Sequence, residues 1–203
     1  MKLGFAEKIL VNSPIRALSL RLLEPTLLES HVPFPRHADI LDLGCGNGHG
    51  LIMLHYRCLP ASLTGVDVDP AQLASARKRL IKTGIPAQLV EASAEKIPLS
   101  AHDFDCITSF GCLHHVENWR LALTECARLL RHGGLLYALE FYRPLTGNWL
   151  FSHLFHHPDD RFTHTEFQAE LANQGFHVLY HSSILGLMGV TIARLTGNPQ
   201  TYD

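Results

Sequence analysis

Short apolar runs bounded by glycine, proline and aspartate read as strands near 39–43, 62–67, 87–91, 104–109, 135–141, 176–181 and 187–194. Between them, apolar positions at helical spacing predict helices near 48–57, 70–82, 118–131 and 164–174. Asp69 and Pro70 supply the N-cap and first turn of the second helix. Strands and helices in alternation predict a parallel α/β sheet covered on both faces.

Two stretches fall outside that alternation. Asn12-Ser-Pro14 signals a helix start, and apolar positions at helical spacing follow from Ile15 to Leu28, interrupted by Pro25, so residues 1–38 are expected to form an amino-terminal helical segment. Residues 142–165 leave the carboxyl end of the fifth strand and carry Trp149, Phe151, Phe155 and Phe162. In open α/β sheets ligands bind beyond the carboxyl ends of the strands, so this segment is expected to be a substrate lid. No repeat or linker divides the chain, and residues 1–203 are expected to be one domain.

Composition then narrows the partners. A formal net charge of -2 gives no basic field for a nucleic-acid backbone, so no nucleic acid is expected and a small molecule is the default partner. Met1-Lys-Leu-Gly-Phe-Ala-Glu-Lys lacks the apolar run of a secretion signal. The apolar stretch Ile184 to Ala193, broken by Gly186 and Gly189, suits a buried strand and is too short to cross a bilayer. A cytoplasmic chain without a membrane span is expected. The five cysteines include no Cys-x-x-Cys pair and are expected to be free thiols.

The candidate chemistry lies in Ile40 to Gly50, where an apolar strand runs through Asp42 into alternating glycines at 44, 46, 48 and 50. A turn without Cβ atoms lets backbone groups approach a ligand. The dinucleotide fingerprint Gly-x-Gly-x-x-Gly would need glycine where His49 stands, which points away from NAD. The next strand ends in Asp67, about 20 residues on, where nucleotide-binding folds place the acid that accepts ribose hydroxyls.

Asp-Leu-Gly-Cys-Gly-Asn-Gly from Asp42 and Gly-Val-Asp-Val-Asp-Pro from Gly65 together resemble motifs I and II of the class I S-adenosylmethionine-dependent methyltransferases. The resemblance runs to about Arg194: Glu91 to Pro98 is similar to the family's adenine-contacting segment, Phe104 to Phe110 to its fourth strand, Leu113-His-His-Val to the turn after it, and Ala127 to Gly134 to the helix and glycine turn before the fifth strand. It implies a Rossmann-like fold, a mostly parallel seven-stranded sheet with helices on both faces and an antiparallel last strand. It implies S-adenosylmethionine as cofactor, with Asp42, Gly44, Cys45, Gly46 and Gly48 among its binding residues, its methionine part on the Gly44 to Gly48 turn and its ribose on Asp67. Adenine would lie near Val68, Ser93 and Ala94, and the amino group near the carbonyls of Gly44 and Ser109. The family often has Asp at the position of Ser93, whose hydroxyl accepts only a weaker, neutral bond.

Methyl transfer from a sulfonium depends mainly on alignment, which contributes roughly 7 to 11 kcal/mol, against about 10²- to 10⁴-fold from a positioned base. Resemblance places His114 near the transferred methyl, where its imidazole either takes a proton or shapes the pocket. Glu140, at the end of the fifth strand, is the second catalytic candidate, or else a carboxylate that orders the cofactor edge. His153, His156 and His157 have the spacing of one helical face, but no further ligand completes a set and no metal is expected. Arg143 and Arg161 flank the lid; a surface pair with Asp159 or Asp160 is expected for Arg161.

These readings predict S-adenosylmethionine-dependent methyl transfer to a small, at least partly apolar or aromatic acceptor. Quinone-biosynthesis relatives usually carry Ala-Thr-Gly-Thr-Gly in the glycine turn, whereas this chain has Gly-Cys-Gly-Asn-Gly. The alternative is a non-catalytic S-adenosylmethionine-binding sensor or partner subunit.

Overall fold

The computed structural model describes residues 31–146 and 160–197, with Ser13, Leu18, Thr26 and Glu29 as isolated positions. The strands β1 (Asp39–Leu43), β2 (Ser62–Asp67), β3 (Gln88–Glu91), β4 (Phe104–Phe110), β5 (Leu130–Phe141), β6 (Phe176–Ile184) and β7 (Met188–Leu195) form one sheet in the order β3-β2-β1-β4-β5-β7-β6. The first five pair in parallel, and β7 runs antiparallel between β5 and β6. The described helices are α1 (His49–Cys58), α2 (Pro70–Thr83), α3 (Trp119–Leu129), the single turn α4 (Arg143–Thr146) and α5 (His164–Asn173). This is the Rossmann-like class I arrangement expected from the sequence.

Successive strand residues point to opposite faces, and each face has its own core. Leu41, Leu43 and Ile107 meet Ala122, Leu123 and Cys126 of α3 and Phe167 and Leu171 of α5. Ile40, Cys106 and Tyr137 meet Leu51 and Leu54 of α1 and Leu73 and Leu80 of α2. Asp69 caps α2 by accepting from Ala71 N at 3.0 Å, and Thr163 with Glu166 closes a capping box on α5. The chain order reverses between β1 and β4, which opens a crevice at their carboxyl ends.

Several expectations shift. The third helix, expected to 131, ends at Leu129 because the chain turns extended at once and Leu130 pairs with Phe104; the register then jumps to Cys106 opposite Leu135 across the glycine pair. The stretch Ile184 to Ala193 is not one buried strand. A hairpin turn interrupts it: Ile184 is the last residue of β6 and 61% exposed, Leu185 in the turn is 87% exposed, and the part from Met188 forms β7.

The expected helical segment 1–38 is corrected at its carboxyl end, since residues 31–38 carry no helix. Phe34 packs into the core beside Tyr137, whose hydroxyl donates to Pro33 O at 2.8 Å. Most of the expected helix from Ile15 to Leu28 lies outside the described residues, as do Trp149, Phe151 and Phe155. Phe162, expected in the lid, is 1% exposed against Trp119, Tyr142 and Phe167, because the chain re-enters the core there before α5. Among the described residues, no helix is long and apolar enough to cross a membrane.

Candidate active site

The glycine turn leaves β1 at the crevice. Gly44 has φ +69°, and a Cβ there would overlap the Cys112 side chain, so the turn and the loop after β4 approach more closely than any side chain permits. Gly50 faces Asp42 in the same way, since a Cβ at Gly50 would lie 2.5 Å from Asp42 Oδ2. Asp42 is 2% exposed and accepts from Thr108 Oγ1 at 2.8 Å, so it braces the turn from below. Cys45 N donates to Val66 O at 2.9 Å, which carries the β1 to β2 pairing into the turn. Gly48 caps α1 through its backbone, with no side-chain cap.

Asp67 ends β2 beside that turn. Its Oδ2 accepts from Gly46 N and its Oδ1 from Asp69 N, both at 2.8 Å. Burial raises its pKa, and those backbone donors oppose the rise. A carboxylate offers about four acceptor sites, so two ribose hydroxyls are accommodated beside the two backbone donors. Val68 follows directly. The residues therefore fit a nucleoside-bearing ligand.

Ser93 and Ala94 lie in the segment after β3. Ser93 Oγ accepts from Glu95 N at 3.3 Å and lies 3.4 Å from Glu95 Oε2 as a donor. Asn118 N donates to Glu95 Oε1 at 2.8 Å, tying the segment to the start of α3.

Sequence reading singled out Ser109, His114 and Glu140 separately; the fold brings them together. The Ser109 hydroxyl donates to Glu140 Oε1 at 2.5 Å, and the same oxygen accepts from Cys112 N and Leu113 N at 3.3 and 3.2 Å. Glu140 Oε2 lies 3.3 Å from His114 N and 2.7 Å from His114 Nδ1. Glu140 is 1% and His114 6% exposed. Burial pushes Glu140 up to about 7, against the downward pull of Ser109 and the backbone donors. One carboxylate thus shapes the short 3-10 turn Leu113–His115 and orients its imidazole.

Arg143 pairs with Glu166 at 3.2 Å. Asp160, one of the two partners expected for Arg161, pairs with Arg120 at 2.6 Å, because α3 brings Arg120 alongside it; Asp159, the other, lies outside the described residues. Burial raises the pKa of all five free cysteines, so none is a thiolate nucleophile at neutral pH. His153, His156 and His157 lie outside the described residues.

Sequence reasoning missed Thr108 beneath the turn and the pair Glu125 and Arg128 on α3. That pair stands at i,i+3 spacing, which reads as an ordinary solvated pair; only the fold shows what else it touches.

Likeness to known proteins agrees with this geometry. Residues 41–138 match the family described as a methyltransferase domain. A demethylmenaquinone methyltransferase of Thermus thermophilus is 35% identical over 108 residues, 53% of this chain and 49% of that protein. A ubiquinone biosynthesis O-methyltransferase of Agrobacterium fabrum is 29% identical over 106 residues, 52% and 42% of the two chains. The chain thus spans about half the length, or less, of these curated relatives. An S-adenosylmethionine-dependent methyltransferase of Aquifex aeolicus shares the fold, with TM-score 0.77, 17% identity, and 96% and 100% of the two chains covered.

Proposed function

Because residues 41–138 are a methyltransferase domain of the class I S-adenosylmethionine-dependent family, we propose that this chain transfers a methyl group from S-adenosylmethionine to a small, at least partly apolar acceptor. The observation that carries the reading is the bond between Gly46 N and Asp67 Oδ2, which joins the glycine turn and the ribose acid into one site at the carboxyl edge. S-adenosylmethionine supplies a methyl group already activated by its sulfonium, so the protein has to align and shield more than activate.

Each candidate has a part in that task. The turn with Gly44, Cys45, Gly46 and Gly48, braced by Asp42, holds the methionine portion, and the carbonyls of Gly44 and Ser109 take its amino group. Asp67 accepts the ribose hydroxyls, while Val68, Ser93 and Ala94 flank the adenine. Where its carboxylate is ionised, Glu140 accepts from His114 Nδ1–H, which leaves Nε2 to meet the acceptor and orient its nucleophilic atom. We assign Glu140 a positioning role and His114 an acceptor-orienting one. The quinone-related names of two relatives agree with an apolar acceptor.

Calorimetry with S-adenosylhomocysteine and with NAD tests the cofactor; binding of the first and not the second is expected. A screen of apolar and aromatic acceptors that follows S-adenosylhomocysteine release tests the transfer. Cofactor binding with no turnover on any acceptor class would favour a sensor or partner subunit.

A further inference from the structure

The segment that follows β3 carries Ser93 and Ala94, yet it has little regular structure of its own. Ala92 N donates to Asp67 O at 3.1 Å, and Lys96 N to Ser93 O at 3.1 Å. Helix α3 supplies further ties. Its N-cap residue Asn118 donates to Glu95, as above. One turn from the other end, Glu125 Oε1 accepts from Ile97 N at 2.7 Å, while Arg128 donates from Nη2 to Ile97 O and from Nη1 to Leu99 O, both at 3.0 Å. The two side chains also grip each other, Arg128 Nε to Glu125 Oε2 and Nη2 to Oε1, both at 2.7 Å.

A surface pair at i,i+3 would leave both side chains in water and contribute little. Here Glu125 is 9% exposed, and the fork of Arg128 is spent on one carboxylate and two backbone carbonyls. Burial would raise the Glu125 pKa, but Arg128 and the Ile97 N–H bring it below the ordinary carboxylate range, so the brace is charged on both sides at neutral pH.

We infer that Glu125 and Arg128 are positioning residues for adenine recognition: they fix residues 97 and 99, and through them where Ser93 and Ala94 meet the base. The inference rests on S-adenosylmethionine being the cofactor. It has a consequence particular to this chain. With Ser93 offering only a neutral hydroxyl, discrimination at the adenine amino group leans on backbone placement, and α3 controls that placement.

The test is the affinity ratio between S-adenosylhomocysteine and its inosine analogue, in which the amino group is replaced by oxygen, measured by calorimetry on the full chain. Arg128→Lys keeps the charge and loses the planar fork. It should weaken S-adenosylhomocysteine by about tenfold and cut the ratio severalfold. Glu125→Gln, which keeps shape and loses the charge, should act in the same direction and serves if Arg128→Lys does not fold. Arg131→Lys is the control. Arg131 pairs with Asp39 at 2.9 Å and Asp105 at 2.8 Å at the amino edge of the sheet, so this variant should lose thermal stability with the ratio unchanged. Wild-type protein that binds neither compound overturns the cofactor reading. Wild-type binding with an unchanged ratio in both α3 variants, or an equal change in Arg131→Lys, overturns the inference alone.

Discussion

His114 and Glu140 form a buried pair across the carboxyl ends of β4 and β5, Nδ1 to Oε2 at 2.7 Å, and the same carboxylate accepts from the backbone of the turn that carries the histidine. Side chain and backbone of His114 are therefore set by one group. His114→Gln should raise the acceptor KM more than it lowers kcat, with S-adenosylhomocysteine affinity nearly unchanged. Steady-state kinetics over a pH series check this; a fall in kcat of about 10²- to 10⁴-fold with loss of a pH-rate limb would make His114 a general base instead.

Glu140 also gives the protein a pH dependence of stability. Burial raises its folded pKa from the ordinary 4.5 to about 7, so between those values the folded state holds a proton that the unfolded state has lost. That contribution is fully present below about 4.5 and disappears as pH rises through about 7, an effect on the order of 3 kcal/mol at most. Thermal unfolding of wild type and Glu140→Gln from pH 4 to 8 measures it, with roughly those limits set by the carboxyl titration range. The difference between the two proteins should change across this window; parallel curves would show that Glu140 ionises without cost.

Asp67 is bonded to the glycine turn through Gly46 N and is the proposed ribose acid, so its loss should act on cofactor binding before anything else. Bonds to a charged acceptor contribute about 1.5 to 3 kcal/mol each, and Asp67→Ala should weaken S-adenosylhomocysteine by roughly ten- to a thousandfold after water replaces the lost partner. Asp67→Asn keeps one acceptor oxygen and should lose less. Unchanged calorimetric affinity in Asp67→Ala would place the ribose elsewhere.

The sheet was legible where burial is continuous. β1 and β2 fall at the expected residues because each is a largely apolar run that ends in a turn, β1 running through Asp42 and β2 closing on Asp67. The start of β5 was not, since Leu130 becomes a strand residue only by pairing with Phe104. Asp67 could be found from spacing alone, whereas the convergence of Ser109, His114 and Glu140 depends on the register of β4 against β5, which no local pattern encodes. Phe162 shows the same limit from another side: an isolated aromatic in an irregular stretch has no periodicity to tell a core position from a lid.

Gly44 offers the sharpest test of the turn itself, because two separate constraints act there. Its φ of +69° costs a residue with a Cβ roughly 1 to 2 kcal/mol, and the added Cβ would also overlap Cys112. Gly44→Ala should therefore reduce S-adenosylhomocysteine affinity and thermal stability together. Cys112→Gly removes both Sγ and Cβ, the two side-chain atoms that the new Cβ would overlap, so the double variant Gly44→Ala with Cys112→Gly should recover part of the stability and keep the backbone cost. The two contributions then separate in a double-mutant cycle read by thermal unfolding and calorimetry. Additive effects of the two substitutions would show that the turn and the loop after β4 are not packed as described, and the coupling between glycine turn and His114 loop would have to be abandoned with it.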